Sequence, residues 1–171
     1  MSTASAWSVA LNGIEGAMVE VEVAEGGGLP RTVLVGLPDA ALSQAKERVR
    51  AAVTGAELPW PNGLVTINLS PANLPKTGTH YDLAIATAAL AAIDKVPKEA
   101  ARNHVCLGEL GLDGRVRRVP GILPALLAAV RSGFDKAIVP ASQEAEASLV
   151  PGVTVWAIGH LKDLVAVLNG E

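Results

Sequence analysis

The chain is 171 residues long, carries a formal net charge of −3, and is half hydrophobic but only 3% aromatic. That length suits one ordinary domain, and a core short of aromatics has to be built from Ala, Val, Leu and Ile packed between layers, which favours α/β layering. The charge supplies no global attraction for nucleic acid, so any such binding needs a local basic patch. No basic N-terminal region precedes an apolar stretch and no run of about 18 uncharged apolar residues occurs, so neither export nor membrane spanning is expected and the chain reads as cytoplasmic. The single cysteine, Cys106, excludes a disulfide within the chain and sits in the apolar run 104–107, where a buried thiol acts as a small hydrophobe.

In chain order, an apolar segment at residues 7–11 is followed by Asn12-Gly13, a hairpin signal. Over 18–24, Val19, Val21 and Val23 alternate with Glu20 and Glu22, which predicts a strand with one wet face. Gly26-Gly27-Gly28-Leu29-Pro30 turns into a third apolar run at 32–35, and the opening reads as an antiparallel meander. After Gly36-Leu37-Pro38-Asp39, Leu42, Ala45, Val49, Ala52 and Val53 recur at helical spacing, with Lys46, Glu47, Arg48 and Arg50 mostly opposite. This predicts an amphipathic helix of about four turns. Pro59-Trp60-Pro61-Asn62-Gly63 leads to a fourth strand at 64–69.

The Pro- and Gly-rich loop 70–78 precedes a segment, 82–93, that is apolar almost all round, as a helix buried between layers must be. A polar link at 94–103 leads to a strand at 104–110, the tight turn Gly111-Leu112-Asp113-Gly114 and a return strand at 115–119. The last third alternates: helix 122–131 stopped by Gly133, strand 136–139, short helix 142–147, strand 153–158, helix 160–168. Strands separated by helices imply parallel pairing. The expectation is one domain over 1–171 of α/β (α+β) class, a meander feeding a mixed sheet with helices.

A phosphate-binding loop would read Gly, four residues, Gly-Lys-Ser/Thr; it is absent. Gly26-Gly27-Gly28 runs into Leu29-Pro30, a hairpin turn rather than a cradle, and Lys76-Thr77-Gly78 has the order wrong, so no ATP site is expected in this segment. His80, His104 and His160 are far apart, with no Cys pair and no His-Glu-x-x-His element, so no metal site is expected. The nearest approach to acid–base machinery is His80-Tyr81-Asp82, where Asp82 reads as a helix cap and His80 as a surface residue. Arg115, Arg117 and Arg118 follow a tight turn, and strand alternation sends the first two to one side and Arg118 to the other. A solvated hairpin is the plain reading; contact with DNA phosphates or with acidic groups of a neighbouring subunit is the alternative, with Lys76 as a further candidate.

Four ordered motifs carry a resemblance. They are Val35-Gly36-Leu37-Pro38-Asp39, Lys46-Glu47-Arg48-Val49-Arg50-Ala51-Ala52, Asn68-Leu69-Ser70-Pro71-Ala72-Asn73-Leu74-Pro75-Lys76-Thr77-Gly78, and Tyr81-Asp82-Leu83. With Gly108-Glu109-Leu110-Gly111-Leu112-Asp113-Gly114-Arg115-Val116-Arg117, Gly133-Phe134 and Ile138-Val139-Pro140, they resemble the N-terminal, Lon-protease-like (ChlI-type) domain of the ComM/YifB family of magnesium-chelatase-like AAA+ ATPases, over essentially the whole chain. The resemblance implies a scaffold similar to the Lon proteolytic domain, to the equivalent domain of RadA and to ribosomal protein S5 domain 2. Lon-type proteases place a serine after Pro-Lys-Asp-Gly-Pro and a lysine in the helix after the Gly-Glu hairpin; the matching positions here are His80 and Ala125. The resemblance therefore implies a segment without its own catalysis. Beyond residue 171 it implies an ATPase module that uses ATP and Mg2+, with the full-length protein self-associating, as a hexamer, and acting on DNA in branch migration and natural transformation. The alternatives are a protein-interaction module of a magnesium-chelatase-like complex, or a peptidase with an unorthodox site built on His80 and Asp82.

Overall fold

The computed structural model describes residues 2–12 and 15–171. β1 (Ser2–Asn12) and β2 (Glu15–Gly26) pair antiparallel from Ser2↔Glu25 to Asn12↔Glu15. The hairpin turn expected at Asn12-Gly13 runs into residues 13 and 14, which lie outside the described residues. β1 starts earlier than the apolar segment that marks it, because Ala4 and Ala6 are buried while alternating Ala and Ser carry little strand preference.

β3 (Arg31–Val35) is followed by α1 (Ala40–Ser43), α2 (Ala45–Gly55) and β4 (Leu64–Ser70). β4 pairs antiparallel with β2 and parallel with β3, so it inserts between them. The three-strand meander expected at the opening is thus a two-strand hairpin, and β3 is displaced to the sheet edge. The cause is the helical connection, since a strand–helix–strand crossover returns the chain parallel. The single helix expected from residue 40 breaks at Gln44 into α1 and α2.

α3 (Asp82–Ala92) is buried along its whole length, as its all-round apolar pattern requires. Its six alanines let it lie close to β1 and β2. The polar link that follows contains a helix, α4 (Lys98–Arg102), behind Pro97. The strand expected over 104–110 is split into β5 (Val105–Cys106) and β6 (Glu109–Leu110). Gly108 at the break turns both backbone groups to the α3 entry, accepting from Leu83 N–H at 3.1 Å and donating to His80 O at 3.1 Å. With β6 only two residues long, its partner β7 (Val116–Arg117) is shorter than the return strand expected over 115–119.

The last third holds α5 (Ile122–Arg131), β8 (Lys136–Pro140), a 3-10 turn (Ala141–Gln143), α6 (Glu144–Ala147), β9 (Thr154–Ile158) and α7 (Leu161–Leu168). Its strands pair parallel, β1 with β5, β5 with β8 and β8 with β9, as the alternation with helices predicts. The result is a seven-stranded, mostly parallel mixed sheet of order β3-β4-β2-β1-β5-β8-β9, an α/β architecture with helices on both faces.

Strand alternation separates two cores. Val19, Val21, Val23, Val65, Ile67 and Leu69 meet α2 and α3 on one face. Val9, Val105 and Val139 meet Leu126 and Ala129 of α5 on the other. Each such side chain contributes about 1.5–3 kcal/mol relative to an exposed one. On the second face α5 covers the start of β2 at Gly16 and Met18, while Glu22 is exposed and Thr66 and Asn68 are half-buried. Among the described residues no helix is long and apolar enough to cross a membrane.

Candidate functional site

The loops that carry the sequence motifs interlock beside α3. Gly36 has φ +116°, and a Cβ there would sit 2.3 Å from Leu69 O, so only glycine fits. Lys76 Nζ donates to Gly36 O at 2.7 Å and to Pro71 O. Backbone bonds from Lys76 N–H to Leu37 O (3.0 Å) and from Asp39 N–H to Lys76 O (2.9 Å) lace the two loops together. Asp39 caps α1 through Leu42 N–H at 2.8 Å and accepts from Gly78 N–H at 3.3 Å.

A second lock joins three distant motifs. Arg48 on α2 donates through Nε and Nη2 to the two carboxylate oxygens of Asp82 at 2.6 and 2.8 Å, and Leu110 N–H donates to the same carboxylate at 3.0 Å. Asp82 is completely buried while Arg48 keeps 19% of its side chain exposed. Burial pushes the Asp82 carboxyl above its usual range, against the opposing pull of Arg48 and the Leu110 amide; the bond to Asp82 raises Arg48. Asp82 is therefore not the helix cap expected from the sequence: Tyr81 occupies that position and makes no side-chain cap bond. An aspartate inside an otherwise apolar helix needs a partner, and Arg48 with the Leu110 amide supplies it.

His80 is not the surface residue expected either. It is 8% exposed, and its Nε2 donates to Val9 O at 2.7 Å. Burial pushes its pKa down, favouring the uncharged imidazole, and its ring lies tilted against Tyr81 at 4.1 Å between centroids. Asp82 points its carboxylate to Arg48, so His80 and Asp82 form no acid–base couple. His80, Thr77 and Gly78 form one wall of a cleft of about 340 Å3 whose other wall is Pro120, Gly121 and Pro124 at the start of α5. Ala125, 2% exposed, follows directly behind that wall. Of the two sequence-singled positions only His80 lines the cleft; Ala125 belongs to the core cluster with Leu126 and Ala129 and carries a methyl group.

Arg115, Arg117 and Arg118 are exposed on and beside β7. Arg115 bonds Asp113 at 2.8 Å in a pair open to water. Lys76 is corrected as a candidate surface contact: its side chain has no exposed surface and its amine is committed to backbone carbonyls just beneath the surface, where desolvation lowers its pKa. Cys106 is buried on β5, its thiol pushed up to about 12 by desolvation. Among the described residues no three His, Cys, Asp or Glu side chains gather as a metal site would require.

A family model described as subunit ChlI of Mg-chelatase matches residues 19–143, and the chain belongs to that family, a magnesium-chelatase-like AAA+ ATPase group. Within it the chain takes its place with the ComM/YifB proteins. It is 39% identical to the competence protein ComM of Haemophilus influenzae over all of this chain and 33% of that protein. With YifB of Escherichia coli it shares 38% identity over 93% of this chain and 31% of that protein. A protein of Mycobacterium tuberculosis is 50% identical over the whole chain and 34% of its own length. The chain spans about a third of the length of these curated relatives. A shorter stretch of 97 residues is 30% identical to Lon protease 2 of Bacillus subtilis, covering 56% of this chain and 17% of that protein, in keeping with a Lon-like scaffold.

Proposed function

We propose that this chain is a non-catalytic accessory domain of a ComM/YifB-type ATPase, supporting ring assembly or DNA engagement by a motor module that supplies ATP and Mg2+ chemistry. The observation that carries the reading is the chemistry present at the two positions, His80 and Ala125. A serine–lysine hydrolase needs a nucleophile and a base of depressed pKa within hydrogen-bonding reach. Here one position is an imidazole already bonded to Val9 O, and the other is an alanine. The surrounding loops, by contrast, are locked by Arg48–Asp82 and by Lys76, which suits a rigid platform. In the parent protein the partners are its own ATPase module, neighbouring subunits in a hexamer, and DNA, in the cytoplasm. The exposed Arg115, Arg117 and Arg118 are the first surface to test for a subunit or phosphate contact.

The test compares the parent protein with a form lacking residues 1–171, measuring particle mass and ATP hydrolysis with and without DNA. Loss of ring assembly, or of stimulation by DNA, supports the reading. An unchanged ring with unchanged DNA stimulation contradicts it.

A further inference from the structure

A pocket of about 260 Å3 lies between the start of β3, the outer side of α2 and the loop 59–63, and shares no lining residue with the cleft or the β6–β7 hairpin. Its lining includes Arg31, Arg50, Trp60, Thr54 and Asn62, and no carboxylate. Both arginines are exposed, and among the described residues neither makes an ion pair. On α2, Arg50 and Thr54 are spaced i, i+4 and so share a face. Glu47, one turn earlier, does not line the pocket.

The pocket is built rather than incidental. Trp60 packs part of its ring on the core and stands between two prolines, which restrict the backbone on either side. Gly63 has φ +79°, and a Cβ there would lie 2.4 Å from Gly26 O, so the loop is pressed against the end of β2 at a position that requires glycine. Gly63 O also accepts from Arg31 N–H at 3.1 Å, tying the loop wall to the strand wall.

Two guanidinium forks without a carboxylate partner select an anion, and phosphate oxygens match their geometry. A half-buried indole beside them offers a face on which a base can stack, and such stacking is indifferent to base identity. Thr54 and Asn62 add the hydroxyl and amide that a sugar or base edge can bond. The pocket opens beside β3, an edge strand, so a chain can enter and leave.

We infer that this pocket is a contact site for single-stranded DNA, holding one nucleotide unit with its phosphate on Arg31 and Arg50 and its base against Trp60. The inference rests on the reading of the domain as DNA-engaging, and it locates the contact away from Arg115, Arg117 and Arg118.

The test titrates the 171-residue chain into a fluorescein-labelled oligothymidylate and follows anisotropy at about 50 and about 200 mM salt. The R31A/R50A double variant is expected to weaken binding at least tenfold or so, and to flatten the log–log salt slope by about 1.4, two phosphates at about 0.7 each. Trp60→Leu is expected to weaken it roughly tenfold with the slope unchanged, and Trp60→Phe to retain it. The R115A/R117A/R118A variant is expected to bind as wild type. Wild-type affinity in the pocket variants, with binding lost in the R115A/R117A/R118A variant, overturns this site and leaves the DNA reading standing. No binding by the wild-type chain overturns the site, and if DNA also fails to stimulate the parent ATPase, the DNA reading falls with it. Thymidine monophosphate or polyglutamate competing as well as the oligonucleotide overturns the assignment to a nucleic acid strand.

Discussion

Two arginine–aspartate pairs in this molecule have nearly the same bond lengths and opposite consequences. Arg115 and Asp113 meet at 2.8 Å on the β6–β7 turn, two residues apart and both mostly in water. Arg48 and Asp82 meet at 2.6 and 2.8 Å across 34 residues of sequence, with the carboxylate sealed from solvent and a third bond from Leu110. Water screens the first pair and competes for its partners. The second can exchange its partners for nothing, so removing one member strands the other. Distance alone does not rank interactions; what replaces a broken bond does.

The largest expected effect is therefore Asp82→Ala, which leaves the Leu110 amide and the inner side of Arg48 without a partner. Unfolding in urea should show a loss of about 3–5 kcal/mol, and a double variant, Arg48→Met with Asp82→Leu, should recover part of it. Lys76→Met comes next. It keeps the aliphatic stem but leaves the Gly36 and Pro71 carbonyls unserved, costing about 1–3 kcal/mol. Hydrogen exchange should report it as faster exchange at Asp39 and Lys76, whose amides lace the two loops.

Acid provides a smaller test. His80 and His104 both have folded pKa values pushed below the ordinary one by burial. Below about 6.5 the unfolded chain binds more protons than the folded one. Stability from these groups is thus complete above about 6.5 and is lost as pH falls toward their folded values. His80→Gln should flatten that decline below about pH 6.5 in denaturant titrations. Smallest of all is Arg115→Ala, which should leave the melting temperature where it is. A clear drop there would erase the distinction between the two pairs.

The same contrast separates what the sequence discloses from what it hides. Local signals were legible: the Val19-Val21-Val23 alternation, the all-apolar α3 and the parallel last third follow from periodicity within one element. β3 leaving β2 for the sheet edge was not, because insertion of β4 depends on the crossover through α2 rather than on any residue of β3. The motif comparison brought out His80 and Ala125; the fold sets His80 in the cleft wall and Ala125 in the core. The burial of His80 and Lys76 was hidden, since each owes it to a backbone carbonyl from a distant segment, Val9 for one and Gly36 for the other. Asp82, read as a helix cap, was hidden too: only the fold shows its pairing with Arg48.

The most direct test of the central claim uses His80→Gln in the parent protein, a change that leaves an amide able to reach Val9 O. ATP hydrolysis stimulated by DNA should match the wild type, with no peptide hydrolysis in either form. Peptide cleavage by the wild type that disappears in the variant would contradict the account and make the cleft an active site.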